Sequence, residues 1–203
     1  MPKSVKGAVS KAAARESLWV RVPPRALVDR ANSPDELLDL VDEHDRVIGT
    51  VRHGAADGDP GLIHREVAIV IHRGDELLWQ LRSAAKRVLP LTWDFACAGH
   101  VGAGDEPASA AHRELLEELG FDTELRVLER RLVREPNETH FAYLFAGSVP
   151  EGVEPRPDPD EVAAIEWWDE PAFRRRVAEG EAISATARDV AEAFWAGRWA
   201  LRR

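Results

Sequence analysis

The chain has a single cysteine among its 203 residues, so no disulfide can close within it and a thiolate-held structural zinc is excluded. Long hydrophobic runs are missing as well. The aliphatic stretch Val67–Ile71 is five residues, well short of the roughly 18 that a membrane helix needs, and reads as a buried strand. Lysine is scarce: three of the four lie in the first eleven residues and the fourth is Lys86, while arginine carries the positive charge elsewhere. Positive charge is in deficit, with 27 Lys and Arg against 36 Asp and Glu for a net of -9. An acidic chain repels phosphodiester backbones, which argues against nucleic acid as a partner, and it suits a site that gathers divalent cations. What remains, 44% hydrophobic and 31% charged, is the composition of a soluble globular protein with enough chain for one domain and a real core.

The charge is unevenly spread. Residues 1–33 carry seven Lys and Arg against two acids, a net of +5, which leaves -14 on the other 170. The expectation is a basic N-terminal arm over 1–33, disordered or wrongly assigned as coding, and a single domain over 34–203. No secretory signal is legible, because Arg21, Pro23 and Pro24 break the only apolar stretch nearby. With no membrane segment either, a cytoplasmic location is expected. The run Trp19-Val20-Arg21-Val22-Pro23 back-translates to a string resembling the T-arm of transfer RNA genes, which suggests a translation start beyond about residue 27.

The rest alternates strand and helix signals without a regular βαβ repeat. Leu37–Asp42 and Arg46–Val51 read as a hairpin, and a Gly/Asp/Pro loop covers 54–61. Strands are expected at His64–Arg73 and Glu76–Arg82 across a Gly74-Asp75 turn, and again at Leu125–Val133, His140–Phe145 and Val162–Trp168. Pro90–Val101 reads as irregular. Helices are expected at Ala108–Leu119, opened by Pro107 and closed by Gly120, and at about 171–179 and 184–196. The fold class is α+β with a mixed sheet.

Chemistry concentrates in Gly99–Phe121, GHVGAGDEPASAAHRELLEELGF. On a helix, Glu114, Glu117 and Glu118 fall within about 100° of one another, while Ala111, Leu115 and Leu119 form an opposite face to bury on a sheet. Three like charges on one face repel one another by a few tenths of a kcal/mol per pair, about what an i,i+4 pair is worth. A hard divalent cation removes that repulsion and prefers oxygen donors. The glycine-rich loop ahead of the helix lets backbone approach a metal or a phosphate closely. A Glu-rich face simply bathed in solvent would give the same three positions.

This stretch resembles the signature of the Nudix hydrolases. Gly99, Arg113, Glu114, Leu115, Glu117, Glu118 and Gly120 match in register over 23 residues. Asp105 stands where the signature has Glu, with Glu106 beside it, and Phe121 where it has an aliphatic residue. The resemblance implies a Nudix-type α/β/α sandwich with a mixed β-sheet. It implies hydrolysis of a diphosphate bond in a nucleoside diphosphate linked to a moiety X, or in a similar small organic diphosphate. Mg2+ or Mn2+ would be held by Glu114, Glu117, Glu118 and the Gly99 backbone. Arg113 would orient a carboxylate through a bidentate pair, and Glu118, with Glu117 beside it, would do the catalytic work. Glu161 is the second candidate for general base.

A second resemblance, over roughly Leu38 to Trp195, is to isopentenyl diphosphate isomerase and its hydrolase-like relatives. It rests on DEHDRVIGTV, on His64 at a strand start, on Arg82 and Lys86, and on Trp93. It implies that Arg82 and Lys86 hold the substrate's diphosphate, and that His64 and His100 match metal-binding histidines of the isomerase. Another of those histidines falls at Asp57. The isomerase's catalytic cysteine falls at Ala98. Cys97 is one place early, which on an extended segment turns its thiol to the other face.

Three readings follow: a metal-dependent diphosphate hydrolase, an isomerase, or a catalytically silent binding module on the same fold. Trp79, Trp93, Trp167, Trp168 and Phe141 are candidates to stack on a substrate or to fill the core. Phe194, Trp195 and Trp199 would either cover the sheet or serve a homodimer contact.

Overall fold

A computed structural model describes residues 33–201 and the backbone of a two-residue strand, β1, at Trp19–Val20. The expectations for a basic arm and a displaced start otherwise lie outside the described residues. The elements that follow are β2 (Leu37–Val41), β3 (Val47–Arg52), a short α1 (His53–Ala56), β4 (His64–Arg73), β5 (Glu76–Arg82), β6 (Trp93–Asp94) and β7 (Cys97–His100). Then come α2 (Pro107–Leu119), β8 (Leu125–Arg134), β9 (Thr139–Gly147), β10 (Val162–Trp168), α3 (Glu170–Glu179) and α4 (Ala185–Trp195). Two stretches differ from the sequence expectation. The first turn of the supposed loop at 54–61 is helical, and the supposedly irregular 90–101 carries β6 and β7.

One mixed sheet organises the chain in the order β1-β8-β9-β4-β5-β10, with β6 on β5 and β7 on β4. β4 is its spine. It runs parallel to β9 and antiparallel to β7 and β5. Its apolar run is continuous because both faces are covered. Val67, Ile69 and Ile71 point to one side, where they pack with Leu115 and Leu119 of α2. Ala68 and Val70 point to the other, into an aromatic layer with Trp79, Trp168, Phe173, Phe194 and Trp195 under α3 and α4. The α/β/α sandwich is therefore the strand's period of two made solid.

Most of those aromatics lie in the core. Trp79 and Trp168 stack with ring centroids 4.7 Å apart, and Trp93 and Phe141 are buried as well, so they fill core. Trp167 is half-buried under the Arg73 guanidinium. Phe194 and Trp195 cover the sheet, and Trp199 packs against the same layer.

Two details aim α2. Pro107 opens it, where no amide hydrogen is needed, and Gly120 closes it in the left-handed region at φ 70°. Ala111, Leu115 and Leu119 are fully buried against the sheet, and truncating Leu115 to alanine would cost about 2–5 kcal/mol. The β2–β3 hairpin docks beside the start of α2. Its turn residue Asp45 is buried at φ 64° and receives Arg65 (Nε to Oδ1, 2.6 Å), Arg130 (Nη1 to Oδ2, 2.7 Å) and the Tyr143 hydroxyl. Such a cluster of charge-assisted bonds on a residue outside its favoured φ fixes the hairpin firmly. No helix among the described residues is long and apolar enough to cross a membrane.

Candidate active site on two faces of one sheet

The carboxylates of α2 are not a solvated face. Glu114 is 3% and Glu118 2% exposed, and only Glu117 is half-buried. An ordinary surface helix would not bury two glutamates without partners, because each ion taken out of water costs several kcal/mol. The partners are specific. Arg113 Nη1 lies 2.6 Å from Glu114 and 3.0 Å from Glu117, and its Nη2 donates to the His100 carbonyl at 2.9 Å. The bidentate pair expected of Arg113 is thus replaced by a fork spanning two carboxylates and a strand carbonyl. Glu118 turns the other way and accepts from Gln80 Nε2 at 3.2 Å.

Burial dominates the acid–base behaviour here. It pushes Glu114 well above the usual carboxylate range, with Arg113 opposing and Glu118, Glu117 and Glu36 reinforcing. Burial likewise lifts Glu118 to about 7, with Lys86 pulling down, Glu161 pushing up and Arg82 pulling down. Lys86 and Glu161 form an ion pair, so the loop after β5 and the loop before β10 meet beside Glu118. Arg82 reaches Asp94 at 3.6 Å and donates to the Val88 carbonyl. Asp105, by contrast, is exposed in the turn before α2.

Gly99 shows why that position tolerates no side chain, since a Cβ there would overlap the Glu114 carboxylate. This close backbone, three acidic side chains and an arginine that fixes two of them make an oxygen-donor set of the kind hard divalent cations take. The residues present therefore fit the metal that the motif implies.

The opposite face of the sheet holds a cluster that the sequence reading largely missed. Backbone register puts Glu66 across from His100 and His64 level with His140, and α1 brings His53 against His100 with ring centroids 4.0 Å apart. Glu66 Oε1 is 3.3 Å from His64 Nε2 and 3.4 Å from His100 Nε2, and Oε2 is 3.6 Å from His140 Nε2. Donors bound at about 2.1 Å to one tetrahedral ion stand about 3.4 Å apart, which is this spacing. Three donor triads are close-set among the described residues: His53-Asp57-His100, His64-Glu66-His100 and Glu66-Glu138-His140. His64 Nδ1 faces the Leu62 carbonyl at 3.2 Å, and a hydrogen donated there leaves Nε2 with its lone pair toward the cluster. His100 Nε2 and His140 Nδ1 are buried without a hydrogen-bond partner.

The charges agree with this geometry. Burial works against the Glu66 carboxylate, yet His140, His64 and His100 hold it well below the ordinary range. Burial drives His100 down to about 3, Glu66 opposing it, so that imidazole is neutral at physiological pH. His53, Glu66, Glu138 and His140 escaped the sequence reading. The one available hint was an i,i+2 spacing, His64 with Glu66 and Glu138 with His140, which puts each pair on one side of a strand.

β7 joins the two faces. Gly99 faces α2 and His100 faces the histidine cluster. Cys97, opposite Ile69, lies in the layer under α2, while Ala98, opposite Ala68, points to the histidine side. The thiol is buried, and burial, with Glu118 and Glu114 nearby, raises its pKa well above the ordinary value.

Comparison with known proteins adds the following. Residues 62–188 match the family model for the NUDIX domain. The chain is 37% identical over 153 residues to an isopentenyl-diphosphate Delta-isomerase of Streptomyces coelicolor, covering 70% of this chain and 76% of that one. It is 38% identical over 122 residues to an uncharacterized Nudix hydrolase of Pseudomonas aeruginosa, covering 59% and 72%. Among solved structures it resembles DR0079 from Deinococcus radiodurans with a TM-score of 0.65 and 25% identity, covering 77% of this chain and 98% of the other. A MutT protein from Methanosarcina mazei, at TM-score 0.56 and 20% identity over 69% of this chain and 96% of that one, shares the fold.

Proposed function

We propose a reaction from one established premise: the chain belongs to the Nudix family. The reading is a divalent-metal-dependent hydrolase that cleaves a phosphoanhydride bond in a nucleoside diphosphate linked to a moiety X, or in a similar organic diphosphate, by water attack at phosphorus. The observation that carries it is the buried carboxylate set of α2 with Arg113 and the bare Cα of Gly99. A silent scaffold gains nothing from burying Glu114 and Glu118 beside one another, since breaking or leaving such charges uncompensated is costly.

Glu114, Glu117 and the Gly99 backbone are the groups to hold Mg2+ or Mn2+, with Glu118 adjoining. Bound there, such an ion neutralises diphosphate oxygens and makes water easier to deprotonate. Glu118 is suited to take the proton from the attacking water, because a carboxylate near pKa 7 is poised for general base work at neutral pH. Lys86 and Arg82, flanking it, supply positive charge for the diphosphate. Glu161 pairs with Lys86, so it ranks as a positioning group. Arg113 fixes two carboxylates at once, which keeps their spacing when the substrate arrives.

Two observations favour the isomerase reading: the histidine cluster stands on the face toward which Ala98 points, and relatives above 35% identity include isomerases. Against it, the position that would carry the thiol is alanine, and Cys97 is sealed under α2. Proton transfer to and from carbon needs a matched acid and base, and here one member is missing.

Phosphorus NMR of the full chain with Mg2+ or Mn2+ tests the proposal. The panel holds nucleoside triphosphates, nucleotide sugars, dinucleoside polyphosphates and isopentenyl diphosphate. New phosphate resonances that require metal and disappear in Glu118→Gln support hydrolysis. Conversion of isopentenyl diphosphate without phosphate release, insensitive to that substitution, supports the isomerase. A chain that binds metal and transforms nothing points to the silent module.

A further inference from the structure

We infer that Asp94 is a positioning residue for the diphosphate site, fixing the Arg82 guanidinium so that one end of it stays free for phosphate oxygens. The inference rests on the reading that Arg82 and Lys86 hold the diphosphate, and it adds a residue from β6. Asp94 belongs neither to the α2 motif nor to the pair formed by Arg82 and Lys86.

Strand geometry brings the two side chains to one side of the sheet. Leu78 packs under α2 and Gln80 donates to Glu118, so Arg82, two residues further along β5, faces the same way. Asp94 stands opposite Gln80 in the β5–β6 register. Its Oδ2 lies 3.6 Å from Arg82 Nη1, an ion-pair contact longer than a hydrogen bond.

The carboxylate divides its contacts between its two oxygens. Oδ1 is held by the scaffold: it accepts from the Phe95 amide at 2.9 Å and from the Ser184 hydroxyl at 2.7 Å. Ser184 is itself fixed, because it caps α4 and its oxygen accepts from the Ala187 amide at 3.2 Å. Its own amide donates to the Trp93 carbonyl at 2.9 Å, which ties the start of α4 to β6. Oδ2 is left to Arg82. Asp94 and Ser184 are both buried, so water competes little for these bonds. Burial works against the charge on Asp94, and Ser184, Arg82 and the Phe95 amide favour it.

Arg82 is thus engaged at two of its three nitrogens. Nε donates to the Val88 carbonyl at 3.2 Å, and Nη1 faces Asp94. Nη2 makes no hydrogen bond among the described residues. The Val88 carbonyl arrives because the loop after β5 folds back. The Leu91 amide donates to the Arg82 carbonyl and the Arg82 amide to the Thr92 carbonyl, both at 3.1 Å. Leu89 and Leu91 take φ of 49° and 52° to make that path. Two leucines in the left-handed region are costly, and such strain persists only where the surroundings impose it. A guanidinium is a rigid fork of five donors. With two nitrogens tied and the third free it points one way, so little order is lost when a diphosphate arrives.

The test is calorimetric titration of the full chain with methylenediphosphonate, a diphosphate that cannot be hydrolysed, in excess Mg2+. Wild type is compared with Asp94→Asn, Arg82→Gln and the double variant, each checked for folding by thermal unfolding. Asparagine keeps the shape and the Oδ1 contacts but replaces Oδ2 with a group that repels the guanidinium. Arg82→Gln should bind about 30-fold more weakly, the usual size for a lost charged hydrogen bond. Asp94→Asn should bind about 10-fold more weakly, and the double variant within about 2-fold of Arg82→Gln, because Asp94 acts only through that arginine. A merely structural role would instead lower affinity by the same factor in both backgrounds, and that result overturns the inference. Wild-type binding in Asp94→Asn overturns it too. If Asp94→Asn does not fold, Ser184→Ala carries the same cycle, with an expected loss of about 3-fold that vanishes in the Arg82→Gln background. If Arg82→Gln binds the probe as wild type does, or wild type does not bind it, the reading of Arg82 as a diphosphate ligand falls and takes the inference with it. If Arg82→Gln weakens binding and Asp94→Asn does not, the inference falls alone.

Discussion

The two faces of the sheet offer a metal different chemistry through the same few residues of β4 and β7. Under α2 the donors are carboxylates and backbone, held apart by Arg113 and crowded by burial. On the other side His64, His100 and His140 stand around Glu66, with His53 against His100 and the carboxylates of Asp57 and Glu138 at the margins. Hard cations such as Mg2+ prefer the first set, and imidazole suits zinc, iron and other first-row transition ions. The contrast extends to protonation. Burial raises Glu114 and Glu118, so the α2 face favours protonated carboxyls despite Arg113, Lys86 and Arg82 nearby. Glu66 is ionised far below neutral pH because histidines already surround it.

The largest effect that would break this contrast is on catalysis. Glu118→Gln should lower kcat by about 10²-fold or more while leaving the fold intact, the usual size for a lost general base. Steady-state phosphate release on the best substrate in the panel measures it, and near wild-type turnover would take Glu118 out of both its proposed roles.

Next comes selectivity between the faces. His64→Ala and His100→Ala should weaken Co2+ binding by about 10-fold or more, read from its visible absorption, with Mn2+ at the oxygen site within about 2-fold. Equal loss of both ions would mean that the two clusters are one site.

A smaller effect distinguishes the faces by pH. Glu118 ionises at about 7 in the fold against 4.5 for the unperturbed group, so its contribution to stability is complete below 4.5 and is lost as pH rises toward 7. Glu66 is depressed, so its contribution is present above 4.5 and is lost as pH falls below that value. In EDTA, Glu118→Gln should therefore flatten the fall in Tm between pH 4.5 and 7, and Glu66→Gln should flatten the loss at acid pH. Adding Mn2+ should restore wild-type Tm most at the upper end, because binding requires deprotonated carboxylates. Calorimetry across pH 4–8 with and without Mn2+ checks both slopes.

The smallest expected change is at Cys97. Cys97→Ala should cost about 1 kcal/mol, a small core truncation, and leave turnover within about 2-fold. Its thiol should react with a disulfide reagent only as fast as the chain opens. Rapid labelling of the native protein would contradict the burial that separates it from the histidine face.

The motif on α2 was legible because all of its parts lie within one 23-residue segment, and helix geometry converts spacing directly into facing. The central strands were legible for a related reason. His64–Arg73 alternates between two apolar layers, and its run of Val and Ile reflects burial on both sides. What misled the reading was environment. A Glu-rich face looks the same in sequence whether it is solvated or buried, and only the sheet decides that Glu114 and Glu118 are covered. Short pieces such as α1, β6 and β7 escaped because four residues or fewer carry no period to detect.

The sequence by itself determined the α+β mix of strands and helices, the helix that bears the acids, the glycine loop before it and the displacement of Cys97 from the isomerase's position. Each is local, set by spacing along a few turns or strands. Tertiary structure alone decided that His53, His64, Glu66, His100, Glu138 and His140 stand together, and that β2 docks on the glycine loop ahead of α2. These residues meet through the β4–β7 and β4–β9 registers and the docking of β2 on the glycine loop. Such pairings join segments dozens of residues apart, and a strand's own sequence carries its period but not its partner.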